Sequence, residues 1–226
     1  TRNKKNMKKI TIKNTSGKEI FSYEALQNTI ERTILKAIDN NIDLSHAKFS
    51  YTTLRDLDLV GVDLSEAIFD CCVLRDVVFK ECDLSNTIFH TQMIDVMFSE
   101  CDLSYASFND SCIDMVIIEL CDMDHSTFVD SEVVYLRLFS VSIPRNKFDN
   151  AVLRYICFHS LRIIGWRFVY PDSYISYHFR TKKATIDYTR KTLDEWECFF
   201  EKQENENTNE YLHFQNIKLF LKEINR

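Results

Sequence analysis

Residues 43–69 read DLSHAKFSYTTLRDLDLVGVDLSEAIF. Every fifth residue in that stretch, Leu44, Phe49, Leu54, Leu59, Leu64 and Phe69, is Leu or Phe. The step continues through Leu74, Phe79, Leu84 and Phe89, and there one residue is missing. It resumes at Met93 and runs through Phe98, Leu103, Phe108, Ile113, Ile118, Met123, Phe128, Val133, Leu138, Ile143, Phe148, Leu153, Phe158, Ile163 and Phe168. In a chain that is 45% hydrophobic, 26 apolar residues in step are not a chance pattern. A period of five fits neither a helix nor a strand. It fits a backbone that turns a corner every five residues.

The residues two places earlier include Ala47, Ala67, Cys72, Val77, Cys82, Thr87, Val96, Cys101, Ala106, Ser111, Cys121, Ser126 and Ala151, which are mostly small. One large and one small inward residue per side would fill a narrow core to normal density. Asp-Leu-Ser recurs at Asp43, Asp63, Asp83 and Asp102, at spacings of 20, 20 and 19 residues. Four five-residue sides therefore make one coil, and the shorter spacing absorbs the deletion between His90 and Met93.

These segments resemble the pentapeptide-repeat family, whose motif is roughly A(D/N)LXX. The resemblance covers 43–168. It implies an all-β solenoid, a right-handed quadrilateral β-helix of about six and a half coils and roughly 30 Å in length. Such a fold also accounts for the three glycines and two prolines, too few for a protein built on tight hairpins.

The ends read differently. Residues 7–42 are expected to cap the first coil. Ile10 to Ile12 and Glu19 to Phe21 flank the turn signal Asn14-Thr-Ser-Gly17, and Ser22 is the expected N-cap of a helix over 23–40. Its apolar face is Leu26, Ile30, Ile34 and Ala37/Ile38. This start looks like that of phage- and prophage-encoded members of the family. Residues 169–226 are expected to hold an α-helical hairpin that caps the last coil or forms a homodimer seam. Thr192-Leu-Asp-Glu195 is a capping box, opening a helix with Leu193, Trp196, Phe199 and Phe200 on one face. A second helix over 210–224 presents Tyr211, Phe214, Ile217, Phe220, Leu221 and Ile224.

Catalytic and metal signatures are missing from the sequence. There is no GxGxxG and no P-loop. The eight cysteines form no CxxC, and the six histidines follow no ligand spacing. Cys72, Cys82, Cys101 and Cys121 fall at the small inward position, where Cys serves as a compact hydrophobe. Cys198 and His213, in the tail, are read as packing. The expectation is a non-enzyme with no catalytic residue, metal or cofactor. No apolar stretch approaches a membrane span and 1–13 lacks a signal-peptide core, so a cytoplasmic protein is expected.

Charge is segregated along the chain. Residues 81–136 hold 12 acidic residues and no Lys or Arg, whereas 137–191 hold 11 basic and three acidic. Asp43, Asp63, Asp83, Asp102 and Asp122 fall at one site on successive coils. Glu81, Glu100 and Glu119 are read as a column beside them and, with Asp124, complete an acidic ridge. Aspartate at this site also suits the corner, because its side chain can bond the backbone there.

A slender rod carrying such a ridge would compete for cationic DNA-binding grooves. The expected function is an inhibitor or protector that imitates nucleic acid towards a bacterial DNA-processing or phage-defence enzyme. The resemblance includes gyrase-binding members of the quinolone-resistance type, but this repeat lacks the projecting loops some of those use. No direct nucleic-acid contact is expected, because the acidic middle repels phosphate. The alternative is a protein-interaction scaffold or secreted effector delivered to a host cell. Its recognition surface would include Tyr174, Tyr177, Arg180, Lys182 and Lys183.

Overall fold

The structure is a computed structural model. It describes residues 6–139, 141, 148, 150–154, 157–159, 175–178, 181–186, 189–203, 211, 214, 215, 217, 218 and 221. The repeat forms parallel ladders in which each residue sits over the residue one coil on. β3 (Ala47–Ser50) and β4 (Thr53–Val60) pair in parallel with β5 (Ile68–Lys80), and β5 pairs with β6 (Ile88–Ser99). From there two ladders diverge. One continues through β7 (Cys112–Asp114), β9 (Glu132–Val134) and β11 (Val152–Arg154). The other continues through β8 (Ile117–Glu119), β10 (Arg137–Phe139) and β12 (Cys157–His159). Leu54, Leu74, Met93, Ile113, Val133 and Leu153 form six successive rungs, about 24 Å of rod at ~4.8 Å per coil. The expected coils beyond His159 lie outside the described residues.

The core is the column set seen in the sequence. Phe49, Phe69, Phe89, Phe108, Phe128 and Phe148 stack at centroid separations of 4.7–5.2 Å. On another side Phe79 and Phe98 stack at 5.0 Å. Full burial of each ring contributes about 2–3 kcal/mol, and offset stacking about 1 more. The small residues fill the space between, with Ala47, Ala67, Thr87, Ala106 and Ser126 all fully buried.

Corners are turned without glycine. The residue two after each central apolar residue has a left-handed backbone: His46, Tyr51, Asp56, Glu66, Cys71, Asp76, Glu81 and so on, with φ of 48–60°. Only Gly61 among the described corners is a glycine. A left-handed non-glycine residue costs energy. Here corner N–H groups gain bonds to the next coil, as in His46 N to Ser65 O at 2.8 Å and Tyr51 N to Asp70 O at 3.0 Å.

The missing residue is one of these corners. Asp70 pairs with His90 and Cys72 with Thr91, so Cys71 faces no residue in register. Thr91 turns inward instead and is 5% exposed.

The N-terminal cap has a longer hairpin and a shorter helix than expected. β1 (Met7–Asn14) pairs antiparallel with β2 (Glu19–Leu26), so Tyr23 to Leu26 belong to a strand. Ser22 is therefore not an N-cap, and Leu26 is an exposed strand residue. The helix α1 (Ile30–Asp39) starts at Thr29, whose hydroxyl accepts from Arg32 N. Ile12, Ile34 and Ala37 join the solenoid core, and Lys13–Asn14 pair with Lys48–Ala47. The hairpin and α1 thus cover the open first coil.

At the other end the structure adds strands that the pattern did not suggest. β13 (Ile175–His178) pairs antiparallel with β11, and β14 (Lys183–Ile186) and β15 (Thr189–Thr192) extend the sheet. α2 (Leu193–Gln203) follows, opened by the expected capping box. Thr192 N donates to Glu195 Oε2 at 2.7 Å, and Glu195 N to Thr192 Oγ1 at 3.2 Å. Residues 211, 214, 215, 217, 218 and 221 are helical. Trp196, Phe200, Phe214 and Ile217 bury against Ala184 and Ile186, with Leu221 touching this cluster and the solenoid core.

Candidate partner-binding face

The carboxylates of the Asp column are engaged at the corners. Asp43, Asp63, Asp83 and Asp102 each accept the backbone N–H of the Ser two residues on, at 2.8–2.9 Å. Asp122 accepts from Asp124 N at 3.0 Å. The Ser45 backbone N–H, then its hydroxyl, holds the Asp43 carboxyl below its ordinary range. Successive column members bridge in register through Asp63, Asp83, Asp102 and Asp122. All five aspartates are exposed, so the column closes its turns and still presents carboxylates at the surface.

Glu81 and Glu100 are left-handed corner residues stacked one over the other, each two residues before its Asp. Glu119 is not in that column. Glu100 N bonds Glu119 O, while in the ladder Glu119 pairs with Ser99. The reason is the deletion: Glu81 to Glu100 spans the short coil of 19 residues, but the next coil is full and places Leu120 beneath Glu100. Glu119 lies one column over and accepts the Ser99 hydroxyl at 2.8 Å. Lys80 Nζ sits 3.4 Å from Glu81, so the cation-free segment ends against a base.

Glu81, Asp83, Glu100, Asp102, Asp122 and Asp124 thus share one side and its edge. The other acids of 81–136 wrap round the rod: Asp95, Asp110 and Asp130 at corners, Asp114, Glu119 and Glu132 on the remaining sides. Counting two residues past each central position would have found the corner acids in the sequence.

The inward cysteines behave as core. Cys72, Cys82, Cys101 and Cys121 are 2–4% exposed. Cys82 and Cys101 donate to the carbonyls of Leu59 and Phe79 on the preceding coil. The Cys121 thiol contact, together with burial, pushes Cys101 up to about 11.

One group was not expected from spacing. His90 Nδ1 lies 3.1 Å from Asp70 Oδ1, and Cys71 Sγ lies 3.5 Å from the same oxygen. Loss of hydration and the Asp70 carboxylate raise the Cys71 thiol above its ordinary value, the opposite of an activated nucleophile.

Of the second surface, Lys182 and Lys183 are exposed, at and just after a left-handed turn between β13 and β14. Tyr174 and Arg180 lie outside the described residues, and Tyr177 is described only as a strand residue paired with Leu153 and Ala184. Among the described residues no helix is long and apolar enough to cross a membrane.

The pentapeptide-repeat family model matches residues 40–65 and 58–91, with eight copies of the repeat. No curated protein sequence matches the chain. Among solved structures it is similar to Rfr23, a pentapeptide repeat protein of the cyanobacterium Cyanothece 51142, at 8% identity and a TM-score of 0.32, over 58% of this chain and 97% of that one. It is similar to a trypsin-treated form of QnrB1, a plasmid-mediated fluoroquinolone resistance protein, at 18% identity and a TM-score of 0.20, over 51% and 73% of the two chains. A third is HetL of Nostoc sp. strain PCC 7120, involved in heterocyst differentiation regulation, at 16% identity and a TM-score of 0.17, over 53% and 68%.

Proposed function

Because this chain belongs to the pentapeptide-repeat family, we propose that it is a non-enzymatic, cytoplasmic binding protein whose acidic segment imitates nucleic acid towards a DNA-binding enzyme. The observation that carries this reading is charge density. At 20 residues per coil, the 56 residues of 81–136 occupy about 13 Å of rod, and their 12 carboxylates give roughly one charge per 1.1 Å. Duplex DNA carries one per ~1.7 Å. The acids also surround the rod, as phosphates surround a duplex. Like charges this close repel, so their accumulation without a single Lys or Arg is not favoured by stability.

The carboxylates to test are those outside the Asp column, whose members hold a backbone N–H at the turns. Affinity capture from nuclease-treated bacterial lysate would use this protein beside a variant with Glu81→Gln, Glu100→Gln, Glu119→Gln and Asp124→Asn. The expected result is a DNA-processing or defence enzyme held by the unmodified bait, released by moderate salt and not held by the variant. Equal capture by both baits would refute the reading.

A second reading, a protein scaffold that recognises its partner through the C-terminal strands, is favoured by the exposed bases Lys182 and Lys183 at the turn between β13 and β14. The apolar faces of the C-terminal helices are buried within their own chain, at Trp196, Phe200, Phe214 and Ile217. A homodimer through that region would therefore use other residues of the unit. Capture that survives the acidic variant but is lost on Lys182→Glu with Lys183→Glu would select the scaffold.

A further inference from the structure

We propose that Asp70, Cys71 and His90 form a binding site for a thiophilic divalent cation of the zinc class, built where the coil lacks its corner residue. The three residues each offer one ligand atom, and these atoms lie within 4.8 Å of one another. In a tetrahedral site with metal–sulfur bonds of ~2.3 Å and metal–nitrogen or metal–oxygen bonds of ~2.0 Å, ligand atoms are about 3.3–3.7 Å apart. One separation lies in that range, Cys71 Sγ to Asp70 Oδ1 at 3.5 Å, and His90 Nδ1 to Asp70 Oδ1 at 3.1 Å is about 0.2 Å short of it. The sulfur–nitrogen separation, within 4.8 Å, has to close by no more than about 1.3 Å, which side-chain rotation supplies.

The backbone fixes all three. Asp70 and His90 face each other across the β5–β6 ladder, and Cys71 is held in a left-handed corner. At a regular corner a residue of the next coil stacks in register with the corner residue. Here none does, and Cys71 is left beside His90 with no neighbour of its own column on that side. The deletion therefore shapes the ligand set, rather than merely interrupting the repeat.

The donors select the ion. One thiol, one imidazole and one carboxylate suit zinc, cobalt or cadmium and do not suit calcium or magnesium, which take oxygen ligands. Cys71 and His90 are exposed and Asp70 is half-buried, so the fourth position opens to solvent. A plain Asp70–His90 ion pair would account for one contact but gives no role to the thiol.

Cobalt(II) titration of the reduced full chain tests this, read by the thiolate-to-cobalt charge-transfer absorption and the visible bands of tetrahedral cobalt. One cobalt per chain, displaced by zinc, is expected. Cys71→Ser should abolish the charge-transfer band, and His90→Ala should weaken binding at least tenfold. Cys112→Ser and Cys198→Ser, at the other exposed described thiols, should leave the spectrum unchanged. A titration with no charge-transfer band, or a band that persists in Cys71→Ser, would overturn the proposal. All four positions are exposed, so the variants keep the fold, and circular dichroism verifies that directly.

Discussion

The coils of 44–139 and the C-terminal unit of 175–221 are both β-rich and both bury aromatic rings, yet they are held in opposite ways. In the coils each ring meets the equivalent ring one turn on, as Phe89 meets Phe69 and Phe108. Any one contact is a copy of its neighbours. In the C-terminal unit Trp196 meets Phe200 and Phe199, its Nε1 donates to Ala184 O at 3.0 Å, and Phe214 closes the far side. None of these contacts recurs. A solenoid is specified redundantly and by nearest neighbours, whereas its cap is specified once.

The difference can be broken most forcefully at Phe89. Phe89→Ala removes a fully buried ring from the middle of the longest stack and should cost about 3–5 kcal/mol by urea unfolding. Amide exchange should speed up on both neighbouring coils. Trp196→Ala should cost somewhat less, about 3 kcal/mol, and its exchange effects should stay within 175–221. If the Trp196 variant also loosened the coils around Phe89, the two regions would be one cooperative unit and the contrast would fail.

Smaller changes sharpen it. Thr192→Ala removes the cap of α2 and should cost about 1 kcal/mol. The Thr192 N–H, then its hydroxyl, holds the Glu195 carboxyl below its ordinary value of 4.5. A depressed folded value stabilises above the unfolded value and is lost as pH falls through the folded one. Acid titration of α2 by circular dichroism should therefore show a step below pH 4.5 that Glu195→Gln removes and that Thr192→Ala, which keeps the backbone N–H, only reduces. Smallest of all, Asp102→Asn keeps an acceptor for Ser104 N and should change stability by no more than about 0.5 kcal/mol. Any loss of partner binding in that variant would then report charge and not folding.

The legibility of the sequence follows the same division. Leu44 to Leu138 could be read because every inward position repeats, and even the deletion between His90 and Met93 is visible as a broken count. The start of α1 was misplaced because Ser22 looks like a cap, but pairing of Tyr23 to Leu26 with β1 outweighs it. The strands β13 to β15 were missed because their partners lie on an edge the sequence does not reveal. On the outside of the rod, neighbours are set by register across coils. One missing residue was enough to move Glu119 out of the Glu81–Glu100 column, and to bring Asp70, Cys71 and His90 together across a gap that local ligand-spacing rules do not cover.

The most direct test of nucleic-acid imitation is competition. The enzyme captured on this protein would be challenged with excess duplex DNA at fixed ionic strength, and the fraction released measured against an equal charge of polyglutamate. The account predicts that DNA releases the enzyme and polyglutamate does so far less well. An enzyme that stays bound under saturating DNA would show that the acidic rod does not occupy a DNA-binding groove, and would contradict it.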